Sequence, residues 1–299
     1  MDSLAVDPVN AGTLYAGTWT DGVLKSSDDG VSWEPANHGL HGQSFVGALA
    51  KDPLSPSILY LWDGLGFFAT HDGGAHWLRP GAPLANVVSL AVAPGVAGTV
   101  YGFVAGIGSG EIEKSLDGGA TWNPVLKLAS LGGPSPAIYV APSTPDTVYV
   151  AYSQWRGSPL RFRMDYAVSR DGGKSFQFLF SFPTGLGAFA VDPTDANTFY
   201  LANAYGSVYP GALFKSTDGG RTLVQLPVSS GISALLIDPA NPSTVYAGIY
   251  QDVMVSRDGG MTWSELAPGL SRVSISQLAF GPGGALYAVT QTTVFRLAL

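Results

Sequence analysis

Three short stretches of the chain place an aromatic residue next to or near an acidic one. Two carboxylates that face each other across a pocket can hydrolyse a glycosidic bond, and their separation decides between inversion and retention. The three acids therefore form the candidate catalytic set. The alternative is an ordinary turn, because Asp-Gly, which occurs in two of the stretches, is a common hairpin dipeptide. The candidate catalytic residues are Asp21, Asp63 and Asp252.

Aromatic residues in the same kind of connection are candidates for ligand binding. Their flat apolar faces can stack on a sugar ring or on a peptide, and their polar atoms can reach hydrogen-bond partners. The alternative is that each ring only covers the ends of neighbouring strands. The candidate aromatic residues are Trp19, Trp62, Trp155, Tyr205, Tyr209 and Tyr250.

One predicted loop, residues 151–165, concentrates positive charge. Three of the nine arginines of the chain lie within eight residues there, although the chain has a net charge of −7. Arginine binds carboxylates and phosphates through two parallel hydrogen bonds, so this loop could dock an acidic sugar or an acidic protein surface. Solvated or ion-paired arginines are the alternative. The candidate docking residues are Arg156, Arg161 and Arg163.

The sequence predicts no metal site and no cofactor. His38 and His41 lie three residues apart, and two histidines without a nearby third ligand make a poor zinc site. The chain contains no cysteine, so thiolate ligands and disulfides are excluded. It also has no nucleophile elbow and no phosphate-binding loop that leads into a helix.

A repeated motif, S-x-D-x-G-x-[ST]-W, organises the chain and occurs six times with small variations. Its glycines supply the positive φ of a tight turn, its aspartate can accept turn N–H groups, and its last aromatic enters the next strand. The motif therefore predicts the tip of a β-hairpin. A calcium loop needs several carboxylates, and each copy has one or two. The central aspartates are predicted to be structural: Asp28, Asp72, Asp117, Asp171, Asp218 and Asp258.

A second motif, an apolar strand followed by a proline turn and a tyrosine-centred strand, recurs seven times at intervals of 41–51 residues, close to the 40–54 residues between boxes. Each period holds four strands, which we call A to D, and the aromatic and acidic candidates lie in the B–C loops. Repeats of this length predict an all-β, seven-bladed β-propeller of four-stranded antiparallel blades. The last blade is predicted to have three strands unless an upstream segment completes it. We expect a single domain over 1–299, with blades that start near residues 3, 45, 87, 136, 187, 232 and 275.

The boxes and the D-P-x-x-P-x-T-x-Y form of the proline turn resemble the BNR or Asp-box repeat proteins. That family includes sialidases, xyloglucanase-type glycoside hydrolases, sortilin-type receptor domains and photosystem II assembly factors. The resemblance implies the propeller fold, with the boxes on the rim away from the active face. It implies no single function, because similar propellers do unrelated work. The Arg-Ile-Pro stretch of sialidases and the glycine-rich opening of the xyloglucanase-type enzymes are both missing, so no catalytic residue carries over.

Composition narrows the class of partner. The net charge of −7 argues against nucleic acid. No run of about twenty apolar residues is present, so no membrane span is expected. Met1-Asp2 leads straight into a predicted strand without a signal peptide, while the family resemblance is compatible with export. The compartment and the oligomeric state stay open.

These observations favour a non-catalytic propeller that binds a glycan or a protein segment through the face of its B–C and D–A loops. Two alternatives stay open. The first is a glycoside hydrolase or polysaccharide lyase that uses aspartates on the same face. The second is an assembly scaffold that docks through the arginine loop.

Overall fold

The computed structural model describes residues 3–41, 45–81, 84–129, 136–155, 162–203, 211–228, 231–267, 270 and 274–299. Seven antiparallel sheets of three or four strands follow one another along the chain. The fold is a seven-bladed β-propeller, and the last blade has three strands, as the sequence predicts. In the described ranges, the only helical element is a 3-10 turn at Pro282–Gly284.

The chain divides into two compact units. Unit one comprises Met1–Leu128 and Ala279–Leu299, and unit two comprises Ala129–Leu278. The expectation of one domain over the whole chain stays a prediction.

The first three blades belong to unit one. Their strands are short and run in the order A to D along the chain. Blade one contains β1 (Ser3–Val6), β2 (Leu14–Gly17), β3 (Val23–Ser26) and β4 (Glu34–Pro35); blade two contains β5 (Ala48–Lys51), β6 (Leu59–Trp62) and β7 (Phe67–Thr70); blade three contains β8 (Val87–Val92), β9 (Val100–Gly106), β10 (Ser109–Ser115) and β11 (Asn123–Ala129).

The remaining blades repeat the pattern. Blade four contains β12 (Ala137–Val140), β13 (Val148–Trp155), β14 (Phe162–Ser169) and β15 (Gln177–Phe182); blade five contains β16 (Leu186–Val191), β17 (Phe199–Asn203), β18 (Leu213–Ser216) and β19 (Val224–Gln225); blade six contains β20 (Ala234–Ile237), β21 (Val245–Ile249), β22 (Asp252–Ser256) and β23 (Ser264–Glu265); blade seven contains β24 (Gln277–Phe280), β25 (Leu286–Val289) and β26 (Val294–Leu297).

The boxes form the turns between strands C and D. In the sixth box, Gly259 and Gly260 have φ of 73° and 95°, a conformation that strains any residue with a Cβ atom. The last box residue immediately precedes strand D in every four-stranded blade, as Trp263 precedes β23; it is aromatic in four of these blades and is Leu223 in blade five. Blade two departs from the four-stranded prediction. Among the described residues that follow its box, Leu78 alone pairs with the sheet, through an isolated bridge to Ala69.

A tyrosine on strand B ties each of three blades to the box of the next blade. The Tyr15 hydroxyl donates to Gly73 O at 3.0 Å, and the Tyr200 hydroxyl donates to Gly259 O at 3.0 Å. In blade seven, Tyr287 donates to the Asp29 carboxylate of box one. The two motifs that set the period of the sequence are therefore joined in space.

Apolar residues fill the spaces between adjacent blades. Between blades one and two, for example, Tyr15 and Val23 pack with Leu59, Leu61 and Phe68. Each of these side chains is almost completely buried. In blades one, two and five, each face of the sheet meets such a layer. Their B strands therefore have buried side chains on both faces, and polar side chains lie at the strand ends.

No helix in the described part of the chain is long and apolar enough to cross a membrane.

Candidate functional site

Trp19 and Asp21 lie in the tight turn that joins β2 to β3. Thr18 closes this turn, since its N–H donates to Gly22 O at 2.9 Å and its hydroxyl accepts the Asp21 N–H at 2.9 Å. The Asn37 side chain donates to Asp21 O at 2.7 Å and so fixes the turn from the following D–A loop. These bonds hold the backbone, while the Trp19 ring is 65% exposed.

Three aromatic rings form a continuous cluster in unit one. The Trp19 ring centroid lies 4.5 Å from that of Phe45, at an interplanar angle of 40°. Phe45 in turn meets Trp62 edge to face, with centroids 6.3 Å apart. We call Trp19, Phe45 and Trp62 the aromatic surface. It joins the B–C ends of blades one and two, because Phe45 precedes strand A of blade two.

The indole N–H of Trp62 is buried and has no hydrogen-bond partner among the residues that the structure describes. A buried donor without a partner costs about 1–3 kcal/mol relative to a satisfied one. Such groups are rare in folded proteins and call for an explanation, for instance a bound water or a ligand.

The strand register shows which positions of blades one and two are equivalent. Trp62 pairs with Ala48 and Gly17 pairs with Ser3, each at the start of its A strand. Trp62 is therefore the equivalent of Gly17, and Asp63 is the equivalent of Thr18. The two tryptophans converge through tertiary packing and do not occupy matching positions.

Asp63 closes the β6–β7 turn much as Thr18 closes the turn of blade one. Its side chain is inaccessible to solvent. Oδ1 accepts the N–H groups of Leu65 and Gly66, both at 2.9 Å, and Oδ2 lies 3.0 Å from Nδ1 of His41. Arg79 Nη2 lies 3.1 Å from the other ring nitrogen of His41. We call Asp63, His41 and Arg79 the polar triad.

The hydrogen bonds of the polar triad determine the tautomer of His41. A guanidinium can only donate, so Nε2 of His41 must be the acceptor in its contact with Arg79. Nδ1 then carries the proton and donates it to Asp63. His41 is thus assigned as neutral from its hydrogen-bond network, and both oxygens of Asp63 are occupied by donors of the protein.

The six Asp boxes are internally satisfied. In box six, Asp258 accepts the Ser256 hydroxyl at 2.7 Å, the Thr262 N–H at 2.9 Å and the Thr262 hydroxyl at 2.5 Å. Hydroxyl donors first, and backbone N–H groups second, lower the pKa of five box aspartates to about 2. In box two the His76 backbone N–H and ring lower the pKa of Asp72 further still.

Comparison with known proteins agrees with the box geometry and with the propeller fold. The BNR/Asp-box repeat family model matches residues 254–265, which contain box six. A solved GH74 xyloglucanase from Xanthomonas campestris superposes with a TM-score of 0.71 at 20% identity, covering 100% of this chain and 53% of that one. The chain has the β-propeller fold, and its sixth box matches the BNR/Asp-box repeat model.

Two curated relatives of this Asp-box propeller are similar in sequence. A probable oligoxyloglucan-reducing end-specific xyloglucanase from Neosartorya fischeri is 26% identical over 321 residues, which cover 89% of this chain and 38% of the relative. A xyloglucanase from a Paenibacillus species is 28% identical over 274 residues, which cover 76% of this chain and 26% of the relative. The chain thus spans between about a quarter and two fifths of the length of these relatives.

The candidates of blade six lie in unit two of the Asp-box propeller. Tyr250 is 59% exposed in the turn between β21 and β22. Asp252 begins β22 and is buried, and its Oδ1 accepts the N–H of the next residue, Val253, at 2.6 Å. This carboxylate therefore accepts a hydrogen bond from the backbone at the start of β22.

The blade-four loop is described only at its two ends. Trp155 ends β13 and is half-buried, and Arg163 lies exposed in β14. The Arg163 side chain donates to the Ser181 hydroxyl at 2.7 Å and to Ser181 O at 3.1 Å, so it lies against its own sheet. Four further candidates lie outside the described residues, and their roles stay predictions: Arg156, Arg161, Tyr205 and Tyr209.

Phe45, His41 and Arg79 were not among the residues selected from the sequence as candidates for ligand binding or catalysis. His41 and Phe45 lie in the D–A loop before blade two, and Arg79 follows the box of blade two. In the sequence, only their residue type and loop position could have indicated a role in a site. His41 was considered only as a metal ligand. In the described ranges, no group of three or more histidine, aspartate or glutamate side chains is placed to hold a metal ion.

Proposed function

We propose that this Asp-box propeller binds a carbohydrate, a β-linked glucan of the xyloglucan class, through the aromatic surface. Three observations support the proposal. Trp19 exposes most of its ring, the ring is held by its neighbours, and two relatives are xyloglucanases. The protein-segment alternative has no comparable support on the described surface.

One contact carries this proposal, namely the stacking of Trp19 on Phe45. A tryptophan on a free loop would lose conformational entropy when a ligand binds. Here the turn bonds of Thr18 and Asn37 and the 4.5 Å contact with Phe45 hold the ring before binding. A pre-organised aromatic ring offers a large contact area at a small entropic cost.

The Trp62 indole adds a second feature. Its N–H is buried and unpaired in the part of the chain that the structure describes, and its ring contacts Phe45 edge to face. A sugar hydroxyl that reached this donor would remove an energetic cost that exists in the free protein.

Isothermal titration calorimetry with xyloglucan oligosaccharides tests the proposal. Trp19→Ala is expected to weaken binding about tenfold or more, as loss of an aromatic anchor does. Phe178→Ala is the matched control, because Phe178 is an aromatic residue 53% exposed on β15 of blade four. Equal affinity of Trp19→Ala and wild type, with unfolding temperatures unchanged, would refute the proposal.

Hydrolysis is the second candidate function, and the names of the two relatives favour it. The carboxylate of Asp63 is inaccessible and already bonded, and Asp252 is buried at a strand end. Asp21 is the exposed member of the three. A reducing-sugar assay on xyloglucan separates the two functions. Product release that Asp21→Asn abolishes would support hydrolysis, whereas binding without product supports the non-catalytic function.

A further inference from the structure

A cleft lies between blade one and the box of blade two, within unit one. Its cavity volume is about 430 Å³, and small-molecule sites typically occupy about 300–1,000 Å³. Strands C and D of blade one form one wall, and the box glycines Gly73 and Gly74 form the other. We call it the rim cleft. Its described lining includes none of the three rings of the aromatic surface, so it is a separate candidate site.

Ser27, at the second position of box one, is one of two small side chains that keep the rim cleft open. The residue at the same position of box four is Arg170, whose Nη2 donates to Gly219 O of box five at 3.2 Å. Gly219 corresponds to Gly73 of box two. The arginine side chain therefore crosses the space that is open beside Ser27 in blade one.

Ala36 is the second small side chain. It lies three residues after the last residue of its box, where blade five has Leu226. Leu226 lies against Gly260, the second glycine of the next box, on the side where a Cβ atom would project. The corresponding neighbour of Gly74 is the Cβ atom of Ala36, and alanine lacks the branched end of leucine. The rim cleft therefore lies where two small residues replace larger ones of other repeats.

The carbonyl group of Gly74 lacks a hydrogen bond that its counterparts make. In boxes one, three and six, the box tryptophan donates its indole N–H to the second glycine, for example Trp263 to Gly260 O at 3.0 Å. The Trp77 indole of box two donates to Ala36 O. Gly74 O therefore has no hydrogen bond with another described residue and is available as an acceptor for a ligand.

Two side chains of opposite charge line the rim cleft. Lys25 of β3 and Glu34 of β4 are paired in the strand register, so both project from the same face of blade one. The Lys25 ammonium donates to Gly73 O at 3.0 Å and lies 5.2 Å from the ring centroid of Tyr15. The Glu34 side chain is exposed. A ligand in the cleft meets one positive and one negative group, which favours a neutral molecule over an ion.

We propose that the rim cleft binds one unit of a neutral sugar. Sugar hydroxyl groups both donate and accept hydrogen bonds, and the lining of the cleft offers both functions. The Glu34 carboxylate and Gly74 O accept hydrogen bonds. The Lys25 ammonium donates them, and the Ser27 hydroxyl does either. This site is independent of the proposed function, because it shares no residue with the aromatic surface.

An NMR titration with methyl β-glucoside tests the rim cleft. A ligand of this size is expected to bind with a dissociation constant of about 1 mM. The backbone amide signals of Gly73 and Gly74 should shift and should saturate at about ten times that concentration. Glucosamine carries an ammonium group and glucuronate carries a carboxylate, and both should bind no tighter than the neutral sugar.

An exchange between repeats fills the rim cleft without changing the net charge. Lys25→Val combined with Ser27→Arg reproduces the pair Val168 and Arg170 of box four. Blade four accommodates this pair, so the exchange is compatible with the fold. It removes the ammonium donor and places an arginine where the sugar would lie. We expect the affinity for methyl β-glucoside to fall about tenfold or more.

Two matched controls accompany the exchange. Lys215→Val combined with Thr217→Arg makes the same exchange in box five and should leave the affinity unchanged. Glu34→Gln keeps the shape of the side chain and should weaken binding about fivefold, because hydrogen bonds to a charged acceptor are stronger. Its control is Glu265→Gln, which alters an exposed carboxylate on β23 of blade six and should have no effect.

The outcomes separate the rim cleft from the aromatic surface. Shifts confined to the neighbourhood of Trp19 and Phe45 would refute the rim cleft and leave the proposed function standing. The absence of any shift, or a shift of Gly73 that survives the exchange, would also refute the rim cleft. Tighter binding of glucosamine than of the neutral sugar would overturn the assignment of the ligand. If Gly73 shifts as expected but xyloglucan oligosaccharides bind equally well to Trp19→Ala, the proposed function fails and the rim cleft stands.

Discussion

The substitution Asp63→Asn tests the hydrogen-bond order of the polar triad. Asparagine has nearly the same shape as aspartate, but one of its two terminal groups can only donate. The N–H groups of Leu65 and Gly66 are fixed donors, so the asparagine oxygen must face them. The new NH₂ group then faces Nδ1 of His41, which carries a proton in the wild-type protein.

The conflict can be relieved only at the expense of Arg79. If His41 moves its proton to Nε2, then Nδ1 can accept from the new NH₂ group, but the Nε2–H group opposes the Arg79 donor. Arg79 is exposed and can turn into water, so the contact of 3.1 Å between Nη2 and Nε2 is lost. One substitution therefore breaks a hydrogen bond two residues away in space.

The expected cost has two parts. Three bonds to a buried carboxylate become bonds to a neutral amide, and bonds to charged groups exceed neutral ones by about 0.5–1 kcal/mol each. Loss of the exposed contact between Arg79 and His41 adds about 0.5–1.5 kcal/mol. We expect Asp63→Asn to lower the free energy of unfolding by about 2–4 kcal/mol. In a protein that already carries Arg79→Met, the contribution of the Arg79–His41 contact is absent, so the loss should be smaller.

The assay is a double-mutant cycle of Asp63→Asn and Arg79→Met by urea unfolding, with matched m-values as the condition for comparison. The coupling energy should be about 1 kcal/mol. Asp52→Asn is the control, because Asp52 accepts two backbone N–H groups, at 2.9 and 3.1 Å, and has no contact with the triad. It should show no coupling to Arg79→Met.

Nitrogen NMR of labelled histidine gives an independent readout. The His41 signals, assigned with His41→Gln, should change from the Nδ1–H tautomer in the wild-type protein to the Nε2–H tautomer in Asp63→Asn. Additive free energies together with an unchanged tautomer would refute the assignment of the triad.

Two further predictions concern stability. Five of the box aspartates have a pKa of about 2 in the folded chain, below their ordinary value of 3.8, and the pKa of Asp72 is lower still. Their contribution to stability is complete above about pH 4 and, for those five, is lost as the pH falls through about 2. Calorimetric unfolding temperatures should drop in that window, and less steeply in Asp258→Asn. Trp62→Phe removes a buried N–H without a described partner, so it should change the free energy of unfolding by less than about 1 kcal/mol. Trp77→Phe leaves Ala36 O without the indole N–H that donates to it at 2.8 Å. It should lower the free energy of unfolding, measured in urea, by about 2–4 kcal/mol. Equal losses in the two tryptophan variants would contradict that explanation.

The repeat architecture could be predicted from the sequence because its determinants are local. A box such as Ser256–Trp263 contains the glycines, the hydroxyl groups and the carboxylate that close its own turn, and a short window of sequence is enough to recognise it. The period of these boxes and of the proline turns then determined the number of blades and the three-stranded last blade. The one local prediction that tertiary structure altered is strand D of blade two. There the Trp77 indole donates to Ala36 O of the preceding blade, and of the described residues after the box Leu78 alone pairs with the sheet.

The candidate site depended on contacts between distant parts of the chain. Trp19 and Trp62 were selected from residue type and from their position in B–C loops, but only the folded chain inserts Phe45 between them. Asp63 looked like a candidate acid in the sequence, and the structure buries it beneath His41 and Arg79. Whether a carboxylate is a free acid or the cap of a turn depends on its burial and on its donors. Two donors to Asp63, the N–H groups of Leu65 and Gly66, come from its own turn. The third donor, His41, lies in a D–A loop that meets Asp63 only when the blades pack together.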